Sequence, residues 1–514
     1  MQLHKISNME PFNLFLLLFI PLLSLIYFFP RIIGYKSRLI NPPGPHGLPV
    51  IGNLHQIDQS SLHTFLWQLS KSYGPIIYLR FGFIPTIIVS SASLAKEVLK
   101  TQDTIFCSRP SLIGNQKLSY DGIDVAFSPY NEKWREMRKI FTTHLLSPKR
   151  VQSSRQIRED EVSSAMNTIR TLALSSAHVN LSEIAKSVTS TIMMRVGFGK
   201  RFQDGDERTK VLRLFNDFQA SIVDFYVSDI WPSLPFVGLI DRLMGKMDRL
   251  EKCFHDFDLF YQQVIDEHLK HQNREEDEDV IDILLRLMDD NLYSMTHNHI
   301  KAMLMNVLAA GTETSASIVV WSMTLLMKHP KVMKRAQEEV RNVIGKKGKI
   351  NEDELRKLTY LKAVIKETMR LYPPSPLLLP RETMKDTILH GYKIKKKTIV
   401  YVNAFAIGRD VEYWEKPEDF LPERFLDSDI DFKGNDFELI PFGGGRRICP
   451  GISFGVVMVE LLLANLLYLF DWGLPNDMKR SEDIDLDVMP GITIHKRNEL
   501  CLIAHDIDHV LVKN

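Results

Sequence analysis

Cys449 stands alone in the run Phe442-Gly443-Gly444-Gly445-Arg446-Arg447-Ile448-Cys449-Pro450-Gly451, directly before an apolar stretch from Ile452 to Leu467 that reads as a helix. Such a cysteine can supply a thiolate. The helix start after it offers unpaired N–H groups and a positive dipole end, and both favour an anion. Pro450 suits a first helical position, where no N–H partner is needed. The glycines let backbone approach a flat cofactor closely, and Arg447 presents a fork for a carboxylate. A second chemical segment, Ala309-Ala310-Gly311-Thr312-Glu313-Thr314-Ser315, interrupts a helical pattern running from Asn298 to Lys328. Its glycine and threonines cost helix stability, yet Glu313 and Thr314 put proton-handling groups in apolar surroundings. A plain structural reading has Thr314 bonding back to the carbonyl of Ala310. Glu367 and Arg370 stand three apart on one helical face, where an exposed pair would contribute little.

The elements that position these residues are mostly helical. From Ala92 to about Leu371 the pattern has helical period, broken at Ser147-Pro148, Trp231 to Pro235 and His329-Pro330. Strand-like text is confined to a hairpin in Ile76 to Val89, to Thr398–Val402, and to the region from Ile492 to Ile503. The acidic block Arg274 to Asp279 reads as a solvated loop without function. With 514 residues and 45% hydrophobic content the chain can bury a large core, and a net charge of +1 argues against nucleic acid as a partner. Four scattered cysteines (Cys107, Cys253, Cys449, Cys501) fit a reducing compartment.

At the N-terminus, Phe12 to Phe29 is uncharged and mostly apolar, about the shortest length that spans a bilayer. Arg31, Lys36 and Arg38 follow it, so the positive-inside rule keeps the C-terminal bulk in the cytosol. No small-residue cleavage site follows the run. Met9, just before it, is a second candidate initiator beside Met1. Asn41-Pro42-Pro43-Gly44-Pro45 then reads as a stiff hinge. The expected organisation is a membrane anchor over residues 1–30, a basic and proline-rich hinge over 31–50, and one catalytic domain over 51–514.

The spacing Phe442-x-x-Gly445-x-Arg447-x-Cys449-x-Gly451 resembles the Cys loop of the cytochrome P-450 family, the haem-thiolate monooxygenases. That resemblance implies a mainly α fold with small β-sheets, and one large haem domain behind the anchor. It implies haem b (iron protoporphyrin IX) with Cys449 as its axial thiolate and metal ligand, in a loop shaped by Phe442, Gly443 and Gly451. Trp134 and Arg138, in Trp134-Arg135-Glu136-Met137-Arg138, would aim at a haem propionate, as would Arg381 and Arg447. Gly311 would make room for dioxygen, Thr314 would hold a water or the distal oxygen, and Glu313 would open a proton route. Many relatives have Asp where this chain has Glu313. Glu367, Arg370 and Arg424 (in Pro422-Glu423-Arg424-Phe425) would form a buried brace.

The implied activity takes two electrons from NADPH through NADPH–cytochrome P-450 reductase, with cytochrome b5 as a second donor. No nicotinamide or flavin fingerprint occurs in the chain, which fits electrons arriving from a separate protein. Lys133, Arg135 and Lys139 could dock an acidic redox partner. Asp436 to Pro441, the Pro-Pro-Gly-Pro hinge and Gly408-Arg409-Asp410 look like microsomal plant enzymes of families 71 and 83. Their substrates are lipophilic specialised metabolites: alkaloids, terpenoids, phenylpropanoids, furanocoumarins and oximes. The implied location is the endoplasmic reticulum membrane, single-pass, with the catalytic domain facing the cytosol. Asp121, Asp124 and Asp224 could meet a basic nitrogen. Two rival readings are a haem-thiolate isomerase or dehydratase needing no reductase, and a non-enzymatic haem sensor. The first departs from an intact acid–Thr pair, and the second would not need Gly311, Glu313 and Thr314 together.

Overall fold

The computed structural model describes residues 41–507, apart from 59, 176, 201–205, 271–277, 346, 476–477 and 479. The expected anchor and the basic part of the hinge lie outside the described residues. The axis of the fold is α6 (His297–Lys328), one residue longer at its start than the sequence pattern indicates. It begins where Thr296 and the ring of His299 bond reciprocally, and it stops because Pro330 opens the next helix, α7 (Pro330–Ile344). Around it lie α1 (Glu132–Ile140), α2 (Arg155–Leu174), α3 (Leu181–Phe198), α4 (Asp206–Val223), α5 (Lys246–Lys270), α8 (Thr359–Leu371) and α9 (Ile452–Leu469). Helices α6 and α9 are long and apolar enough to cross a membrane, but most of each is buried, so they are core helices.

The sheets are small, as expected. Strand β1 (Ile76–Phe81) turns through Gly82 into β2 (Ile84–Val89), with Ile77 opposite Ile88. Beyond it, β2 runs parallel to β7 (Ile399–Val402), and β4 (Arg381–Glu382) closes the far edge. Both faces are covered: Ile77, Leu79 and Ile88 join one apolar cluster while Ile76, Ile87, Val89 and Val400 join another. That double burial explains why the strands read as nearly unbroken apolar runs. Strand β11 (Cys501–Asp506) pairs with β3 (Val179–Asn180) and β8 (Phe470–Gly473), and β5 (Thr387–Leu389) pairs with β6 (Tyr392–Ile394). A hairpin of β9 (Val488–Met489) and β10 (His495–Lys496) lies against α6.

Two local expectations are corrected. Helix α9 starts at Ile452 with Gly451 as its cap, so Pro450 lies in the turn before the helix rather than at its first position. The end of the acidic block is also structural. Glu278 accepts bonds from Arg150 and Arg286, and Asp279 caps the helix Val280–Asp289 while holding His268 at 2.8 Å.

Candidate active site

The Cys loop is held by backbone contacts that side chains would obstruct. Gly445 has φ +67, and a Cβ there would lie 1.9 Å from the carbonyl oxygen of Leu99. Leu99 belongs to a wide, π-type helical turn, Glu97–Thr101, so a local irregularity meets the loop at its tightest point. Asp103, a little further on, accepts the N–H of Arg446 at 3.1 Å and pairs with its guanidinium at 3.2 Å. Within the loop, the N–H of Cys449 donates to the Phe442 carbonyl at 3.0 Å, and Gly443 takes φ +70 behind Phe442. The Phe442 ring stands edge-on to Phe432. Burial pushes the Cys449 thiol up, while the Gly451 N–H and Arg138 pull it back. A metal cation bound at this sulfur would favour its thiolate form.

Above this loop, buried guanidiniums converge. Arg447 donates to the carbonyls of Cys107, Val125 and Ser128 at 2.8, 3.3 and 2.7 Å, and its guanidinium lies 4.0 Å from the Trp134 ring centroid. Arg381 donates to the Gly444 carbonyl at 3.1 Å and approaches Asp103 at 3.5 Å. Arg138 donates to the carbonyl of Ile448, next to the cysteine. Trp134 donates its indole N–H to Val125 at 3.0 Å. The sequence did not single out a fourth cation, Arg109, which donates to Ala126, Leu379 and Pro380.

Burial, then mutual repulsion with Arg381, brings Arg447 down to about 9, and burial followed by repulsion from Arg447 and Arg381 lowers Arg109. Against these cations stand two carboxylates, Asp103 and Asp124. Asp124 is saturated by the N–H groups of Ala126, Phe127 and Ser128 and by the Asn306 amide. Buried positive charge beside a cysteine suits an anion, and the two propionates of a haem would satisfy it. The residues present fit the group.

The other wall is the middle of α6. Ala310 is exposed and Thr314 half-buried, one turn apart on a helix whose middle is otherwise mostly buried, so this face looks onto an opening. The Thr314 hydroxyl donates to Ala310 at 2.6 Å, as the plain structural reading has it, and keeps its lone pairs free to accept. Gly311 is packed against α3. A Cβ on it would lie 2.5 Å from Met193 Sδ, so the glycine lets α3 approach α6 closely. Glu313 also turns from that opening. Its oxygens lie 3.0 Å from Lys186 Nζ and 2.9 Å from His495 Nε2. Burial alone would raise the Glu313 carboxyl, but His495 and Lys186 hold it down at about 2.

The expected brace is present. Arg370 meets both oxygens of Glu367 at 2.7 and 2.8 Å, both side chains fully buried, and Arg424 reaches the same carboxylate at 3.1 Å. The remaining Arg370 donors end on the carbonyls of Gly408, Pro417 and Asp419. Among the acids considered for a basic substrate, Asp224 is paired with Lys246 at 2.8 Å and Asp124 is engaged as above. Neither is free to meet an amine.

The cytochrome P450 family profile matches residues 42–501. The chain is 49% identical over 505 residues to the 6,7,8-trihydroxycoumarin synthase of Pastinaca sativa, covering 96% of this chain and 98% of that protein. Its identity to the 5-OH-xanthotoxin synthase of Pastinaca sativa is 48% over the same shares. Cytochrome P450 71A9 of Glycine max is 46% identical, over 94% of this chain and 96% of that one. A zebra fish cytochrome P450 solved with progesterone superposes with a TM-score of 0.74 at 26% identity, covering 86% of this chain and 99% of that one. The chain belongs to the cytochrome P450 family: it is a monooxygenase of lipophilic plant specialised metabolites, carrying haem on a cysteine thiolate and drawing electrons through a separate reductase.

Proposed function

We propose that this monooxygenase hydroxylates an aromatic substrate of the coumarin class, with Cys449 as the axial thiolate. Trp134, Arg138, Arg381 and Arg447, joined by Arg109, serve the propionate side, and Phe442, Gly443 and Gly451 shape the loop. The observation that carries the site is the convergence of Cys449 and surplus buried arginines on one loop. The substrate class rests on near-full-length similarity to proteins that make hydroxylated coumarin and xanthotoxin products.

When bound, the haem supplies reductive activation of dioxygen and transfer of one oxygen atom to the substrate. The chain supplies placement and protons. Ala310 leaves space beside Thr314, whose Oγ1 donates its one proton to the Ala310 carbonyl and keeps its lone pairs free to accept from a water at the opening. Glu313, one residue earlier, keeps a carboxylate at the boundary between the apolar interior and two cations.

The exposed side chains of Lys133, Arg135 and Lys139 on α1 form the docking face for the acidic reductase and for cytochrome b5. Phe236, Leu239, Leu243 and Met244 are exposed, and the bonds from Phe83 to Ile230 and from Trp231 to Val50 bring exposed Leu48 and Phe83 beside that segment. Such an apolar patch next to the hinge fits contact with the endoplasmic reticulum membrane, behind a single anchor over residues 1–30. The three-part division into anchor, hinge and catalytic domain stands as part of this proposal.

The test is a panel of coumarins and furanocoumarins incubated with microsomes holding this chain and a reductase, followed by mass spectrometry. A product one oxygen heavier, formed only with NADPH, is expected. Turnover of amines or terpenoids with all coumarins untouched would overturn the substrate class.

A further inference from the structure

Glu313 is buried, yet the two groups bound to it both reach the surface. Its side chain is 9% exposed, against 29% for His495 and 37% for Lys186. The three come from distant parts of the chain: α6, the β9–β10 hairpin and α3. The hairpin is fixed where it matters. Ser317, one turn beyond Glu313 on the same face, donates to the Ile494 carbonyl at 2.6 Å, and the Ile494 N–H donates to Pro374 at 2.9 Å. Lys496 on the other side is buried and bound to Asp485 at 2.6 Å. His495 is therefore presented to Glu313 by anchored neighbours.

We infer that His495 is the proton inlet of this site, relaying protons from solvent to Glu313, while Lys186 is a fixed electrostatic clamp on the same carboxylate. This rests on the monooxygenase reading above. The two cations differ in what they can do. An ammonium stays charged well above neutral pH and releases protons poorly. An imidazole takes and gives protons in the physiological range, and its two nitrogens separate uptake from release. The ring takes a proton at Nδ1 and gives one from Nε2 to Glu313 Oε2. The ring's proton count is restored, the carboxylate becomes a carboxylic acid, and no electrons move.

The transfer helps itself. While His495 is charged, two cations hold Glu313 ionised; once it has given its proton, one of them is gone and the carboxylate is more basic. Among the described residues, α3 contributes Lys186 to this cluster and the hairpin contributes His495. From α4 comes only the neutral Asn216, whose amide oxygen lies 3.3 Å from Lys186 Nζ.

The experiment compares His495→Gln and Lys186→Met with the parent full-length enzyme in two readouts. The first is infrared titration of the Glu313 carboxyl in the resting protein, assigned with Glu313→Gln. The carboxylic acid band should appear at a higher pH in His495→Gln than in the parent, and an unchanged titration would overturn the contact. The second is product formed per NADPH across pH 6 to 8, in light and heavy water. His495→Gln should couple about tenfold less well, with a larger solvent isotope effect and a flattened pH profile. Lys186→Met should keep the pH profile. Parent-like coupling and isotope effect in His495→Gln would overturn the relay. If the parent itself forms no NADPH-dependent product, the monooxygenase reading fails instead, and the infrared titration still decides the His495–Glu313 contact.

Discussion

Around Cys449 the arginines end chiefly on backbone carbonyls, whereas around Glu313 the charges end on side chains that reach solvent. Carbonyls neither titrate nor leave, so the Cys449 side is a fixed frame that carries buried positive charge. Lysine and histidine can move and, in the histidine's case, change charge. The Glu313 side therefore has the freedom that the proposed proton delivery requires. One wall of the site ends on fixed carbonyls, and the other on side chains that meet solvent.

The largest effect should come from breaking the fixed wall at its centre. Cys449→Ala should abolish monooxygenase activity and the thiolate signature of the ferrous–carbon monoxide spectrum, while Thr314→Ala should keep the spectrum and lose coupling. Arg370→Met comes next. It strands Glu367 in the interior, and about 3–5 kcal/mol of stability should be lost in denaturant titration. Asp103→Asn should weaken the hold on Arg446 by roughly 1–3 kcal/mol, read as faster haem loss with the fold intact.

Gly311→Ala tests where the oxygen wall is tight. The new methyl meets Met193, a flexible thioether, so the cost should be about 1–3 kcal/mol, and Met193→Ala should restore much of it. If Gly311 instead makes room for dioxygen, the second substitution will rescue stability but not activity.

The smallest effect is on the pH dependence of stability. The Glu313 carboxyl is held at about 2 in the folded chain against an ordinary value of 4.5, so it binds a proton less readily when folded. Its contribution to stability is present above the unfolded value and is lost as pH falls from about 4.5 towards 2. Glu313→Gln should flatten denaturation midpoints across that window.

The Cys loop was legible in the sequence because its chemistry is local: glycines, an arginine and a cysteine within ten residues must take one shape. The arginines at 381 and 447 and the Trp134–Arg138 pair were legible through resemblance, and Glu367 and Arg370 through helical spacing. Asp103, Arg109, Met193 and His495 were not. Each acts across a long sequence separation, Asp103 on Arg446 and His495 on Glu313, and nothing in a short polar loop or a two-residue strand announces such a partner. Gly311 was visible, but its contact with Met193 was not, because a glycine in a helix does not say which neighbour it admits. The acids at 124 and 224 looked available for the same reason: sequence shows a charge and not what it is bonded to.

The most direct measurement is the origin of the oxygen in the product. Incubation of the enzyme, reductase, NADPH and a coumarin under labelled dioxygen should yield a product carrying one labelled atom, with none incorporated from labelled water. Label from water, or a product isomeric with the substrate and formed without NADPH, would contradict the monooxygenase built on Cys449 and Thr314.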